Sequence, residues 1–196
     1  MKMDLVHDIQ SAYRKVLFSM SRPGVVGNLG AEAAGVELTA PCYPGTLLLA
    51  LMLLDTEVSF KVVSPQEASL TRLFSQLTYA KAIKCREADF IFVLADADGQ
   101  NLEEALAAAK PGMLTDPHCS ATVIIEAHEI ASGQGLALSG PGIENEHFVE
   151  IKASGQWLKK REEQIKEYPL GIDMIFLDAG GQVICIPRTT TIEERR

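Results

Sequence analysis

Three short, almost unbroken apolar runs constrain what this chain can fold into. They are "ADFIFVLAD" (Ala88 to Asp96), which is bounded by polar residues, "ATVIIEAHEI" (Ala121 to Ile130) and "GIDMIFLD" (Gly171 to Asp178). The first suits a strand buried on both faces, and the others read as strands of the same central type. A sheet covered on both sides needs helices between its strands, and the chain supplies them. Leu5, Ile9, Ala12, Tyr13, Val16 and Leu17 recur at helical intervals behind Asp4, a natural N-cap, and "SRPG" (Ser21 to Gly24) ends that helix. Pro44 can open a buried helix through Leu54. Ser64 and Glu67 form a capping box with Pro65 at the first helical position, ahead of an apolar face of Leu70, Leu73, Phe74 and Leu77. Further helices are expected from Leu102 to Ala109, stopped by Pro111-Gly112, and from Trp157 to Glu167. Glu57 to Val63, "GLALSG" (Gly135 to Gly140) and "EHFVEIK" (Glu146 to Lys152) add strands.

Strands alternating with helices give an α/β class with helices on both faces of a mixed sheet, in one domain over residues 1–196. The sheet is mixed because the last two strands, joined at "AGG" (Ala179 to Gly181), form a hairpin and must be antiparallel. The tail "TIEERR" reads as a solvated end or a docking segment.

Charge and motif content exclude several functions. A net charge of −8 and a pI near 5.0 leave no basic patch for nucleic acid or an anionic membrane. The longest apolar run, "TLLLALMLL", falls far short of the ~20 residues a membrane span needs, and the N-terminus has no signal-peptide core. Cys42, Cys85, Cys119 and Cys185 are widely spaced without a C-x-x-C pair, which fits a reduced, cytoplasmic setting. No two of the four histidines sit at metal-ligand spacing, so no metal site is expected. Nucleophile-elbow, P-loop and zincin motifs are all missing.

Two charges stand out in the closing hairpin. Asp173 lies inside an apolar strand, and Arg188 follows the return strand. With Leu177 opposite Val183, Asp173 falls opposite Pro187 or Arg188, and the one-residue ambiguity decides whether the two share a face. One reading is an ion pair at the sheet end. The other is an anion corner in which the planar fork of Arg188 and the hydroxyls of Thr189 and Thr190 meet a phosphate or carboxylate. Arg22 on the "SRPG" turn, and Gly140 and Gly142 in "LSGPGI", are further anion-binding candidates, each also explicable as an ordinary turn.

Taken together, "YRKVLFSMSRPG", "LSGPGI" and "YPLGIDMIFLD…VICIPRTT", in that order, resemble the PhnH family of the bacterial carbon–phosphorus lyase system. The likeness runs from Tyr13 to Thr190, and "PLGID" with "IPRTT" is its most specific part. The resemblance implies a cytoplasmic accessory subunit of the assembly that joins an alkylphosphonate to the ribose of ATP and releases adenine. It also implies an αβα sandwich like a reduced pyridoxal-phosphate-dependent transferase, forming homodimers and binding other subunits of the system. Fold likeness does not carry the cofactor with it. No lysine follows Lys166, and Lys61, Lys81, Lys84 and Lys110 lack a phosphate-cradling pattern, so pyridoxal phosphate is expected to be absent.

Three functional readings follow. The chain is an accessory subunit whose Arg22, Gly140, Gly142, Asp173, Arg188 and Thr189 converge on an anionic ligand, ATP or alkylphosphonate. Alternatively it is a structural adapter in which the same residues organise the fold. In the third it is an enzyme with Asp173 as general base.

Overall fold

The computed structural model describes residues 5–36 and 40–195; the expected N-cap Asp4 lies outside them. The helices are α1 (Leu5–Ser21), α2 (Gly30–Ala33), α3 (Pro44–Leu53), α4 (Glu67–Thr78), α5 (Gly99–Ala108) and α6 (Trp157–Gln164). The strands are β1 (Gly27–Asn28), β2 (Ser59–Val63), β3 (Lys81–Ala82), β4 (Phe90–Val93), β5 (Thr122–Glu126), β6 (Glu129–Ser139), β7 (His147–Lys152), β8 (Asp173–Leu177), β9 (Gln182–Ile186) and β10 (Thr191–Glu194). Seven strands form a mixed sheet in the order β1-β9-β8-β5-β4-β2-β3. The segment from β8 to β3 is parallel, and β9 and β1 extend it antiparallel.

Alternation along each strand builds two cores, one per face. Phe60, Val62, Phe92, Ile124, Ile175 and Cys185 pack beneath α1, α3 and α4. Ile91, Val93, Val123, Met174, Phe176 and Ile184 pack beneath α5 and α6. The two-sided burial expected of the apolar runs is therefore present, and α/β with helices on both faces is the architecture. Helix α3 is apolar nearly all round because Gly45 through Ala50 are buried.

Several expectations are corrected. "ATVIIEAHEI" is split: β5 ends at Glu126, and Glu129 begins a new strand that runs through "GLALSG" to Ser139. Gly133 and Gly135 do not make a turn between two strands. They sit in a bulge where Ser132 and Leu136 both pair with Val149. The tail is an ordered strand whose charged side chains are exposed: β10 pairs with β6, giving a second, three-stranded sheet β10-β6-β7 that joins the α5–α6 side through Ile192. A single inward apolar residue, Ile192 at 8% exposure, fixes that register, a pattern too short to read in advance.

The capping box is also not formed. The Ser64 hydroxyl accepts from Gln66 N–H and donates to Asp96, while the Glu67 carboxylate pairs with Lys61 on β2. Helix α4 accordingly starts at Glu67, two residues later than expected. Helix α6 ends at Gln164 rather than Glu167.

Phe74 of α4 is fully buried, its ring edge-on to Phe92 at 5.3 Å and tilted to Phe60 at 5.9 Å. Phe74→Ala is expected to cost about 3–5 kcal/mol, read as a lower urea midpoint with an unchanged slope.

Candidate functional site

The motif residues gather at the edge of the sheet where β5 and β8 begin and β9 ends. Met174 pairs with Ile186, so Asp173 faces Pro187, the first of the two registers considered. The ion pair nevertheless forms, because the chain turns after Pro187 and brings Arg188 back. Arg188 N–H donates to Asp173 Oδ1 at 2.8 Å, Nε to Oδ1 at 3.3 Å and Nη2 to Oδ2 at 2.7 Å. Nη1 donates to the Pro117 carbonyl at 2.6 Å. The two side chains are 17% and 20% exposed, so the pair is largely withdrawn from water.

Beneath this turn lies a residue that sequence reasoning missed. Arg161 of α6 is fully buried, and its Nη2 donates to Pro187 O and Thr190 O, both at 2.8 Å. With Thr190 N–H donating to Pro187 O, the arginine ties both ends of the Pro187–Thr190 turn. Burial pushes its pKa down to about 10, against the pull of Asp173 and Glu162, so it stays cationic at neutral pH. Its Nε and the Thr190 hydroxyl are buried without a hydrogen-bond partner among the described residues. The only sequence signal for Arg161 was its place in the charge-rich helix expected from Trp157 to Glu167.

"LSGPGI" packs against both other motifs, backbone to backbone. Gly142 has φ +86°, and a Cβ there would lie 2.2 Å from Ser21 O; at Gly140, φ +130°, a Cβ would lie 2.9 Å from Thr189 O. Both positions therefore require glycine. Gly142, Asp173, Arg188 and Thr189 line one open cleft of about 420 Å³ with Ser21 and Pro141. Gly140 lies behind Thr189. Arg22 is not in the lining: it is exposed and stacks on the Phe18 ring at 4.8 Å. Four of the six candidates thus line a common cleft within one chain, a fifth supports it and the sixth stands apart. Both Asp173 oxygens accept from Arg188, so this carboxylate does not present itself as a free base.

A second buried acid, also unforeseen, sits at the opposite edge of the sheet. Glu126, ending β5, accepts from Tyr43 N–H at 2.7 Å, Thr46 Oγ1 at 2.6 Å and Ala95 N–H at 2.9 Å. It binds the N-terminus of α3 to the end of β4. Burial raises its pKa above the usual 4.5 despite those hydrogen bonds. Its signal was an acid closing an apolar run. Elsewhere, Asp116, His118 and Cys119 come together before β5 although no two histidines share ligand spacing. Histidine spacing, on which no metal site was expected, does not register a mixed cluster of this kind.

A family model described as "Bacterial phosphonate metabolism protein (PhnH)" matches residues 2–193. The chain belongs to the PhnH family. A Stutzerimonas stutzeri protein, HtxG, provisionally named as a C-P lyase subunit, is 31% identical over 186 residues, covering 93% of this chain and 85% of that protein. A Rhizobium meliloti (strain 1021) protein is 28% identical over 198 residues, covering 97% of this chain and 92% of that protein. It is named alpha-D-ribose 1-methylphosphonate 5-triphosphate synthase subunit PhnH. Among the described residues no helix is long and apolar enough to cross a membrane.

Two outcomes are expected. Arg161→Leu should destabilise the fold by about 3 kcal/mol or more, since two buried carbonyls lose charged donors, as read by urea denaturation. Glu126 binds its proton more tightly folded than unfolded, so its contribution is fully present below 4.5 and is lost as pH rises through the higher folded value. The stability of the wild type relative to Glu126→Gln should therefore fall as pH rises across that window. A flat difference, or one that grows with pH, would refute the assignment.

Proposed function

We propose that this chain is an accessory subunit of the assembly that couples an alkylphosphonate to the ribose of ATP with release of adenine, acting in phosphonate catabolism. The family match across nearly the whole chain carries this reading, and the names of the two relatives point to the same assembly. Exposed Tyr13, Leu17 and Phe18 on α1 fit a surface that meets other subunits of the system or a second copy in a homodimer. The reading places the protein in the cytoplasm, with a fold akin to a reduced pyridoxal-phosphate-dependent transferase. It assigns no pyridoxal phosphate: Lys61 and Lys110 are paired with Glu67 and Asp89, and Lys81 and Lys84 are exposed.

Within the subunit, the engagement of Arg188 favours architecture over ligand capture. Three hydrogen bonds from its side chain already reach Asp173 and Pro117. The ligand reading retains one supporting observation. The charges lining the cleft, Arg188 and Asp173, balance, and the buried guanidinium of Arg161 behind the turn adds one positive charge that would favour a phosphonate or triphosphate oxygen. Thr189 and the remaining N–H donors of Arg188 are the groups that would meet it.

The deciding assay follows adenine release from ATP and methylphosphonate with reconstituted partner subunits, adding wild type, no protein, or Arg188→Ala. Omission should abolish release. The variant should lose stability near the lower end of the roughly 3–5 kcal/mol that breaking a buried pair costs, yet support release at temperatures where it remains folded. A fully stable variant that cannot support release would overturn the architectural assignment and establish Arg188 as a ligand-site residue. Full release without any added protein would sink the subunit role.

A further inference from the structure

The segment between α5 and β5 carries Asp116, His118 and Cys119 on one tight turn. Met113 and Asp116 exchange both backbone N–H···O bonds, at 3.2 and 2.9 Å, and Pro117–Cys119 then form a single 3-10 turn. In such a turn residues three apart eclipse, which stacks Cys119 over Asp116. His118 Nδ1 lies 2.7 Å from Asp116 Oδ1, and Cys119 Sγ lies 3.0 Å from Asp116 Oδ2. One ligand atom from each residue falls within 4.8 Å of the other two.

We propose that this turn is a binding site for a zinc-class transition-metal ion, held by Asp116 Oδ, His118 Nδ1 and Cys119 Sγ. The donor set argues for the class. A carboxylate oxygen, an imidazole nitrogen and a thiolate sulfur together suit Zn²⁺, whereas Mg²⁺ and Ca²⁺ take oxygen donors and have no use for the sulfur. Zinc bonds of about 2.0–2.3 Å in tetrahedral array hold neighbouring donors about 3.3–3.6 Å apart. The present nitrogen–oxygen and sulfur–oxygen separations, 2.7 and 3.0 Å, must open by roughly half an ångström to reach that spacing. The side chains are free to do so, since His118 is 85% exposed and Asp116 37%. At present the carboxylate is the shared acceptor of both neighbours, and an ion between the three would replace those two hydrogen bonds.

The backbone beneath the ligands is held from the protein interior. Arg188 Nη1 donates to the carbonyl of Pro117, the residue between Asp116 and His118, and the same guanidinium is fixed by Asp173. Ala121 N–H donates to Lys110 O at 2.8 Å and closes the base of the loop. Outer contacts of this kind orient metal ligands. Three protein donors leave a fourth position open to water, as in zinc sites that act on or hold a ligand rather than staple a fold.

The test is titration of the metal-stripped, reduced full-length chain with Co²⁺ alone, followed by absorption. One equivalent should give a thiolate-to-cobalt charge-transfer band with the intense visible bands of a tetrahedral ion, and stoichiometric Zn²⁺ should displace both. Cys119→Ser and His118→Ala should each abolish the charge-transfer band or weaken binding at least ~10-fold, while Cys85→Ser leaves it unchanged. Both substituted ligands are exposed, and Asp116→Asn carries the test if either variant fails to fold. Absence of saturable binding, a weak octahedral spectrum without charge transfer, or a spectrum that survives Cys119→Ser would overturn the proposal. None of these outcomes bears on the subunit role, which the adenine-release assay addresses separately.

Discussion

The contact between Arg188 and Asp173 is the constraint around which the sequence motifs are arranged. A guanidinium and a carboxylate withdrawn from water are tolerated only when their remaining hydrogen-bonding capacity is met. Meeting it here ties the start of β8, the turn after β9 and the loop before β5 into one junction. Arg161 adds a second tie from below, so α6 is fastened to the same turn. With those backbones fixed, "LSGPGI" must approach the turn and the end of α1 at distances where no side chain fits. That is why Gly140 and Gly142 accompany the charged pair. Three motifs far apart in sequence thus describe one packing problem.

The position of this junction is informative. The parallel strands run β3-β2-β4-β5-β8, so strand order reverses between β2 and β4. Open doubly wound sheets bind their ligands at the carboxyl ends of the strands beside such a reversal. At that edge this protein places Glu126 against the backbone of Tyr43 and Ala95, and Asp96 against Ser64. Carboxylates in the usual phosphate position repel an anion. The motif residues lie instead at the opposite, amino-terminal edge, so the cleft they line is not one that the sheet topology supplies.

How much of this was legible in the sequence follows from the range of each interaction. The α/β class, the two-sided strands and the Leu177–Val183 hairpin register depended on local periodicity and turn residues, and all three are present. The Asp173–Arg188 pair was one of two readings, because hairpin register left open whether the side chains share a face, and it forms through the turn after Pro187 rather than straight across the hairpin. Arg161 was not, because its partners are backbone carbonyls 26 and 29 residues away, which no side-chain pattern records. The Ser64 capping box failed for a related reason: Lys61 and Asp96 competed for the two side chains that should have closed it. The second sheet was hidden because β10 shows one buried residue and β6 joins, across Gly133 and Gly135, two stretches expected as separate strands.

The buried charge of Arg161 bears most directly on what the cleft does. If the junction were only a clasp, one arginine facing one carboxylate would suffice, and a neutral donor could bridge Pro187 and Thr190. The protein instead buries a second guanidinium with its Nε unpartnered, beside an unpartnered Thr190 hydroxyl. Such groups cost free energy in an interior. Their cost is offset if they hold the Pro187–Thr190 turn in the conformation that presents Thr189 and the outer face of Arg188 to the cleft, while supplying a positive potential from behind. The Arg188–Asp173 pair and Arg161 thus fasten the same turn from two sides, one through a carboxylate and the other through its backbone carbonyls.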